Sequence, residues 1–298
     1  MTFFVQHIYK FALIQTNMAY LHAREMLPRI TSDWIAFIMA ILLIHMVVVY
    51  EVVVILPYID EDRSRTFWLH VAFGLFLYVS VMTSFVRTIA TNSTTRHMML
   101  PSVLKPGWRF CSVCEANAPP RSKHCWMCDV CVLKRDHHCI FTGNCVGYHN
   151  QRYFINFLLY LSVGAFYCNF LNVDYTIETL GNINLFTLFT ILMPMLSWVF
   201  GVAPAYTFAV AFISMVCLLG FLLVTGYLIY QLRNIYCGQT MWETAKGTKD
   251  YNFGWRENMM EVFGQNYILA FFSPFVRSPL LGDGLEFKKK YGENVKDL

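Results

Sequence analysis

The chain has 298 residues, of which 56% are hydrophobic, 17% aromatic and only 14% charged, with a formal net charge of +4 and a mean hydropathy of +0.44. That composition excludes a water-soluble domain of this size, whose buried helices would be joined by far more charged sequence. It predicts an all-α, polytopic integral membrane protein.

Residues 1–33 carry Phe3, Phe4, His7, Ile8, Phe11, Ala12 and Ile14 at near-helical spacing, with Lys10 and Gln15 between them. This pattern predicts an amphipathic helix lying in the membrane interface. A cleaved signal peptide is not expected, because no compact basic stretch and small-residue cleavage site frame the apolar run. Residues 34–90 hold two apolar runs, 34–57 and 67–90, each long enough for a hydrocarbon core that takes about 20 helical residues. A cysteine-rich stretch follows over 91–152, and apolar sequence resumes over 153–232. Its first run, 153–173, is one crossing. Its second, 183–230, is interrupted by Pro194, Gly201 and Pro204 and could supply one crossing or two. The tail, 233–298, contains Lys288-Lys289-Lys290, read as a solvated or headgroup-facing patch. No internal repeat or low-complexity tract is evident.

Lysines and arginines set the orientation. Three precede Trp34, two lie in 58–66 among Asp60, Glu61 and Asp62, nine lie from Arg87 to Arg152, none from Tyr153 to Leu232, and nine from Arg233 onward. By the positive-inside rule both termini and the cysteine-rich stretch face the cytosol. Five crossings would put the nine basic residues of the tail on the opposite side, so four are predicted, with 185–202 a lumenal, interfacial or re-entrant piece. Cytosolic cysteines are kept reduced, so metal ligands and thiols are expected in place of disulfides.

Seven of the ten cysteines and three of the nine histidines lie between Cys111 and Cys145. They read Cys111-x2-Cys114-x9-His124-Cys125-x2-Cys128-x2-Cys131-x4-Asp136-His137-His138-Cys139-x5-Cys145. Two thiolates two residues apart can bind one zinc ion from a tight turn. Two tetrahedral sites need eight ligands. Six of the cysteines and two histidines supply them as two Cys3His sites, which leaves Cys139 unassigned beside His137 and Asp136. A spare thiol next to an imidazole and a carboxylate is the composition of an activated nucleophile, although either histidine of the pair could be a ligand on spacing alone.

With Arg121-Ser122-Lys123-His124-Cys125, Cys128-x2-Cys131-Val132, Asp136-His137-His138-Cys139, Asn144-Cys145-Val146-Gly147 and Asn150, this stretch resembles the DHHC palmitoyltransferases. Thr240-Met241-Trp242-Glu243 is similar to the Thr-Thr-x-Glu element of that family, with Met as the second residue. Tyr251-x2-Gly254-x3-Asn258-x3-Val262-Phe263-Gly264 is similar to its C-terminal motif. Two departures stand out: no Asp-Pro-Gly precedes the cysteine-rich stretch, and Ile140-Phe141 occupies the place of Pro-Trp.

The resemblance implies a four-helix transmembrane bundle carrying a cytosolic two-zinc domain. It assigns Cys111, Cys114, His124 and Cys131 to one ion and Cys125, Cys128, His138 and Cys145 to the other, as closed structural sites. It makes Cys139 the nucleophile, His137 its base and Asp136 the group that orients the base. Asn144, Asn150, Thr240, Glu243 and Asn258 are expected to be structural hydrogen-bonding residues. The implied reaction moves a fatty acyl group, typically palmitoyl, from acyl-CoA to cysteines of cytosolic or membrane proteins, by a ping-pong course through acyl-Cys139. Lys123, Lys134, Arg135 and Arg152 are expected at CoA phosphates or anionic headgroups. Membrane lipid is a partner, nucleic acid is not, and the endoplasmic reticulum or Golgi is the implied location. Cys168 and Cys217, in apolar runs, are read as small buried hydrophobes and Cys237 as an unmodified thiol. The competing reading is a zinc-binding membrane interaction protein of the same fold that no longer acylates. A ubiquitin-ligase-like module is disfavoured, since no further Cys-x2-Cys pair follows Cys145.

Overall fold

The computed structural model describes residues 27–181 and 184–290. The amphipathic helix expected near the N-terminus lies outside the described residues.

Helix α1 spans Thr31–Ile59, with a single π-helical turn at Glu51–Ile55. There Glu51 accepts a hydrogen bond from Asn172 Nδ2 at 2.9 Å, so its carboxylate meets a polar partner within the apolar span. Helix α2 (Arg65–Ala90) begins at Ser64, whose side chain accepts from the Thr66 N–H and supplies one of the acceptors that a helix N-terminus lacks. After the cysteine-rich domain come α3 (Gln151–Leu180), α4 (Leu185–Leu192), α5 (Pro194–Val199) and α6 (Ala205–Tyr236). Three short tail helices follow: α7 (Met241–Lys246), α8 (Trp255–Phe263) and α9 (Tyr267–Phe272).

Among the described residues, four helices are long and apolar enough to cross a membrane: α1, α2, α3 and α6. Helix α3 packs along both α2 and α6. Their outward faces are apolar, with Leu42, Val53, Leu69, Phe170 and Leu223 all exposed. Their inward faces bury Ser80, Ser84, Thr88 and Asn156, the distribution expected where lipid is the solvent and small polar side chains let helices approach. Residues 185–199 do not form a fifth span. Met193 breaks them into helices of eight and six residues, each far below the length that crosses hydrocarbon. Thr187, Thr190 and Ser197 face inward while Leu185, Phe186 and Val199 are exposed. Cys217 is buried in an apolar cluster with Tyr50, Ile55 and Leu171, and Cys168 packs against it, as small hydrophobes do.

The cysteine-rich domain is three antiparallel hairpins: β1 (Arg109–Cys111) with β2 (Ala116–Ala118), β3 (Lys123–Cys125) with β4 (Val130–Val132), and β5 (His137–Cys139) with β6 (Asn144–Val146). Arg109, Lys123 and His137 open successive hairpins 14 residues apart, and each hairpin pairs its first residue with the one nine positions on. The last loop residue has a positive φ in all three, at Glu115, Asp129 and Gly143. The chain therefore contains a structural repeat, which corrects the reading of none. The same period is written in the sequence, where His124-Cys125 and Cys131-Val132 return 14 residues on as His138-Cys139 and Cys145-Val146, while the residues between them differ. Cys111 and Cys125 are followed three residues later by Cys114 and Cys128; Cys139, at the same place in the third hairpin, is followed by Thr142. The domain has little apolar core of its own. One of its clusters is Cys125, Cys128, Val130, Val132 and Cys145, mostly metal-ligand residue types.

Candidate active site

The repeat interleaves the two clusters. Cys111 and Cys114, from the first hairpin, meet His124 and Cys131, which face each other in register across the second. Cys125 and Cys128 of the second hairpin meet His138 and Cys145, which face each other across the third. Within each set the ligand atoms lie within 4.8 Å of one another. Tetrahedral zinc with Zn–S near 2.3 Å and Zn–N near 2.0–2.1 Å requires S···S edges of about 3.8 Å and S···N edges of about 3.6 Å. Cys114 to Cys131 is 3.8 Å and Cys128 to Cys145 is 3.7 Å. His124 Nδ1 lies 3.8 and 3.3 Å from Cys111 and Cys114, and His138 Nδ1 lies 3.6, 3.3 and 3.7 Å from Cys125, Cys128 and Cys145. Both Cys3His clusters thus fit a zinc ion, with four protein ligands each and no open position. Bound there, zinc would hold the hairpins together, since metal affinity in such modules is folding free energy.

A third hairpin has no fourth to share a metal with, because the chain turns into α3 at Gln151. Cys139 is therefore left as a thiol, 6% exposed, in an apolar cluster with Leu77, Val81, Phe85, Phe154 and Phe157 of the bundle. Its thiol lies near enough to the His137 imidazole for each to shift the other's ionisation. His137 Nδ1 lies 2.7 Å from Asp136 Oδ2, and the Phe154 ring packs edge-on against the imidazole at 4.9 Å. Asp136 is clamped in turn: Oδ2 accepts from Gln231 Nε2 at 2.9 Å and Oδ1 from the Met241 backbone N–H at 2.8 Å. Tyr227 Oη sits 3.4 Å from His137 Nε2 and accepts from Gln231 at 3.0 Å. Met241 needs no hydroxyl for its contact, which explains why Met is tolerated at the second position of the Thr-Thr-x-Glu element.

Electrostatics favour a charge-separated pair. Burial pushes the His137 imidazolium down, but Asp136 and the Cys139 thiolate more than reverse this and raise it to about 9. Burial pushes the Cys139 thiol up, and the imidazolium beside it brings it below the usual thiol range. Asp136, despite full burial, is held below the usual carboxylate range by His137, Gln231 and the Met241 N–H. Each group carries its charge because the others do.

The tail braces this arrangement. Arg121, at φ +62°, is buried and forks onto both oxygens of Glu243 at 2.8 and 2.7 Å, reaches Glu261 at 2.7 Å, and lies over the Tyr251 ring. Glu243 also closes a capping box with Thr240 at the start of α7, the helix whose first N–H holds Asp136. Asn150 makes four hydrogen bonds, to the carbonyls of Thr88 and Cys145 and from Ser93 Oγ and the Gly147 N–H, joining α2 to the second cluster. Asn258 donates to the Tyr236 carbonyl and accepts from the Phe253 N–H. Asn144 pairs with Cys139 in the β5–β6 register. Removing one partner of a buried ion pair strands the other. Glu243→Ala is expected to cost about 3–5 kcal/mol, read as a lowered melting temperature of the detergent-solubilised protein, whereas Glu257→Ala, on the exposed face of α8, is expected to leave it unchanged.

The four basic residues expected at phosphates separate in three dimensions. The Lys134 ammonium is buried 2.7 Å from Glu261, and Arg152 donates to the Ser278 carbonyl and the Tyr153 hydroxyl. Lys123 and Arg135 instead line a pocket with Arg121, Thr240, Trp242 and Tyr251. The Lys123 ammonium stands 3.7 Å above the Trp242 ring. Tyr227 and Gln231 were not identified as site residues beforehand, and their i, i+4 spacing toward the C-terminal end of the last span was the available signal.

Comparison with known proteins agrees with this architecture. Residues 105–248 match the family model described as DHHC palmitoyltransferase. The chain is 36% identical over 247 residues to a zebrafish (Danio rerio) protein named probable palmitoyltransferase ZDHHC24, covering 80% of this chain and 83% of that one. It is 34% identical to the mouse (Mus musculus) protein of the same name, covering 74% and 78%. With zebrafish palmitoyltransferase ZDHHC22 it shares 32% identity over 69% and 75%. Four apolar spans, two clusters that fit zinc and relatives aligned over most of their length lead to one conclusion: the chain belongs to the DHHC palmitoyltransferases, a family of integral membrane acyltransferases.

Proposed function

We propose that this palmitoyltransferase draws its acyl group from fatty acyl-CoA and passes it to protein cysteines through a thioester on Cys139. The observation that carries the reading is the buried run of Cys139, His137 and Asp136, with the carboxylate clamped by Gln231 and the Met241 backbone. His137 holds the thiol proton as a thiolate–imidazolium pair, and Asp136 accepts from Nδ1–H and so keeps Nε2 turned to the reacting atoms. The Cys139 thiolate attacks the thioester carbonyl carbon. The carbon–sulfur bond to CoA breaks, and the departing thiolate takes the proton from His137 Nε2. In the second half His137 deprotonates the incoming cysteine, which attacks the acyl-Cys139 carbonyl and expels the Cys139 thiolate.

An acyl tail prefers hydrocarbon by about 0.8 kcal/mol per CH2, and Cys139 is packed among apolar side chains of α2 and α3. The tail enters the bundle while the CoA head stays in the cytosol, its phosphates on Lys123 and Arg135. The eight Cys and His ligands hold two structural zinc ions and take no part in the transfer. The charge distribution supports a cytosolic zinc domain and tail, and the family resemblance supports an endoplasmic reticulum or Golgi membrane. Residues 185–199 lie in lipid at the opposite interface, since their outward side chains are apolar.

Purified protein given labelled palmitoyl-CoA is expected to acquire a hydroxylamine-sensitive label on Cys139, with parallel lines in double-reciprocal plots when both substrates are varied. A protein that binds palmitoyl-CoA but never takes up label would instead be an interaction protein of this fold. Lys123→Ala is expected to raise the KM for acyl-CoA roughly tenfold, about 1.4 kcal/mol, with kcat unchanged. An unaltered KM would remove Lys123 from the CoA site.

A further inference from the structure

A zinc-bound histidine is oriented by whatever accepts the hydrogen on its other ring nitrogen, and loss of that acceptor typically weakens metal binding 10–100-fold. The two clusters differ in this respect. In the first, His124 Nε2 is 3.8 Å from Asp129, a carboxylate whose side chain is 77% exposed, too far for a hydrogen bond. In the second, His138 Nε2 lies 2.9 Å from Asp33 Oδ2, and Asp33 is 1% exposed.

Asp33 comes from outside the zinc domain. It stands in the first turn of α1, 105 residues before its partner. An acidic residue there ordinarily serves the helix by capping or by facing its dipole, but the N-cap of α1 is Ile30 and no side-chain cap bond forms. Its neighbours press on the same module. Arg29 Nη1 donates to the backbone carbonyl of Cys128, a ligand of the second cluster, at 2.5 Å. Pro28 covers Gly143, the positive-φ residue of the third hairpin, so closely that a Cβ there would fall 2.5 Å from Pro28 Cγ.

We propose that Asp33 is the outer-sphere carboxylate of the second zinc site and, with Pro28 and Arg29, ties the entry of the first membrane span to the reactive hairpin. This rests on the zinc reading of that cluster and borrows nothing from the acyl-transfer steps. Nε2–H donated to a buried carboxylate fixes the His138 tautomer, leaves Nδ1 as the metal donor, and sets the ring plane. His138 immediately precedes Cys139 on β5, so the same bond positions the strand that carries the thiol. Asp33 is a positioning residue. It touches neither substrate nor thiol.

The test uses the full-length protein in detergent, challenged with excess chelator while released zinc is followed with a metallochromic indicator. Wild type is expected to release two ions in two phases, the first cluster faster. Asp33→Leu is expected to accelerate the slow phase 10–100-fold and leave the fast phase alone; Asp129→Ala is expected to leave both slow and fast phases as in wild type. With cobalt(II) in place of zinc, Asp33→Leu is expected to shift the ligand-field bands of one site only. Should Asp33→Leu fail to fold, Asp33→Asn, which keeps an acceptor of the same shape without the charge, is expected to give an intermediate acceleration. Wild-type release of both ions from every Asp33 variant would overturn the proposal, and fewer than two ions in the wild-type protein would overturn the zinc reading with it.

Discussion

Cys139→Ser protein, given labelled palmitoyl-CoA, is expected to take up no hydroxylamine-sensitive label while keeping both zinc ions and its fold. The reason is acidity. A thiol starts near 8.5 and is drawn lower here by the imidazolium beside it, whereas a serine hydroxyl is too weak an acid for one imidazole to hold as an anion. Nothing else about the site changes, because Cys139 belongs to neither metal cluster. Label on the Ser variant, carried by another cysteine, would move the nucleophile away from Cys139. Zinc loss from that variant would mean that Cys139 is a ligand, and the 14-residue repeat makes this a pointed control, since the equivalent positions in the first two hairpins are Cys111 and Cys125.

The second large effect is a contrast between adjacent histidines. His137→Ala is expected to keep two zinc ions and lose about 10²–10⁴-fold in the rate of acyl-enzyme formation, the usual worth of a general base. Part of that loss is expected to return only as the pH is raised above the usual thiol range near 8.5, because burial pushes the Cys139 thiol up once the imidazolium is gone. His138→Ala is expected to release one of two zinc ions and to aggregate or melt early, with no rescue at high pH, since it removes a donor from a closed structural site. Zinc content by elemental analysis and melting temperature are read on both proteins. If the His137 variant lost metal and the His138 variant stayed folded, zinc-loaded and selectively inactive, base and ligand would be exchanged.

What the residues alone determined is what physics makes local. A hydrocarbon core of fixed thickness demands runs of about 20 apolar residues, so α1, α2, α3 and α6 were readable as spans, and the charge pattern argued against a fifth. Zinc demands four donors at fixed distance, and a Cys-x2-Cys turn or a His facing a Cys across a tight hairpin supplies them within a few residues, so both clusters were readable from spacing and resemblance. The 14-residue repeat was legible too, in His124-Cys125 and Cys131-Val132 returning as His138-Cys139 and Cys145-Val146, although Thr142 stands where the other hairpins have Cys; the shared positive φ at Glu115, Asp129 and Gly143 came from the structure.

Only the tertiary structure decided what meets across long sequence separations. Asp136 finds Gln231 at a separation of 95 residues and Arg121 finds Glu243 at 122, and neither pairing leaves any periodicity to detect. The four basic candidates looked alike as letters. Folding buries Lys134 against Glu261, turns Arg152 to a carbonyl, and leaves Lys123 on a pocket over Trp242. Asp33 drew no reading from the sequence, and packing makes it a partner of His138. A side chain's composition and spacing state which bonds it can make; which one it makes depends on the groups that the bundle, the hairpins and the tail bring within 3 Å, and that is a property of the assembled chain.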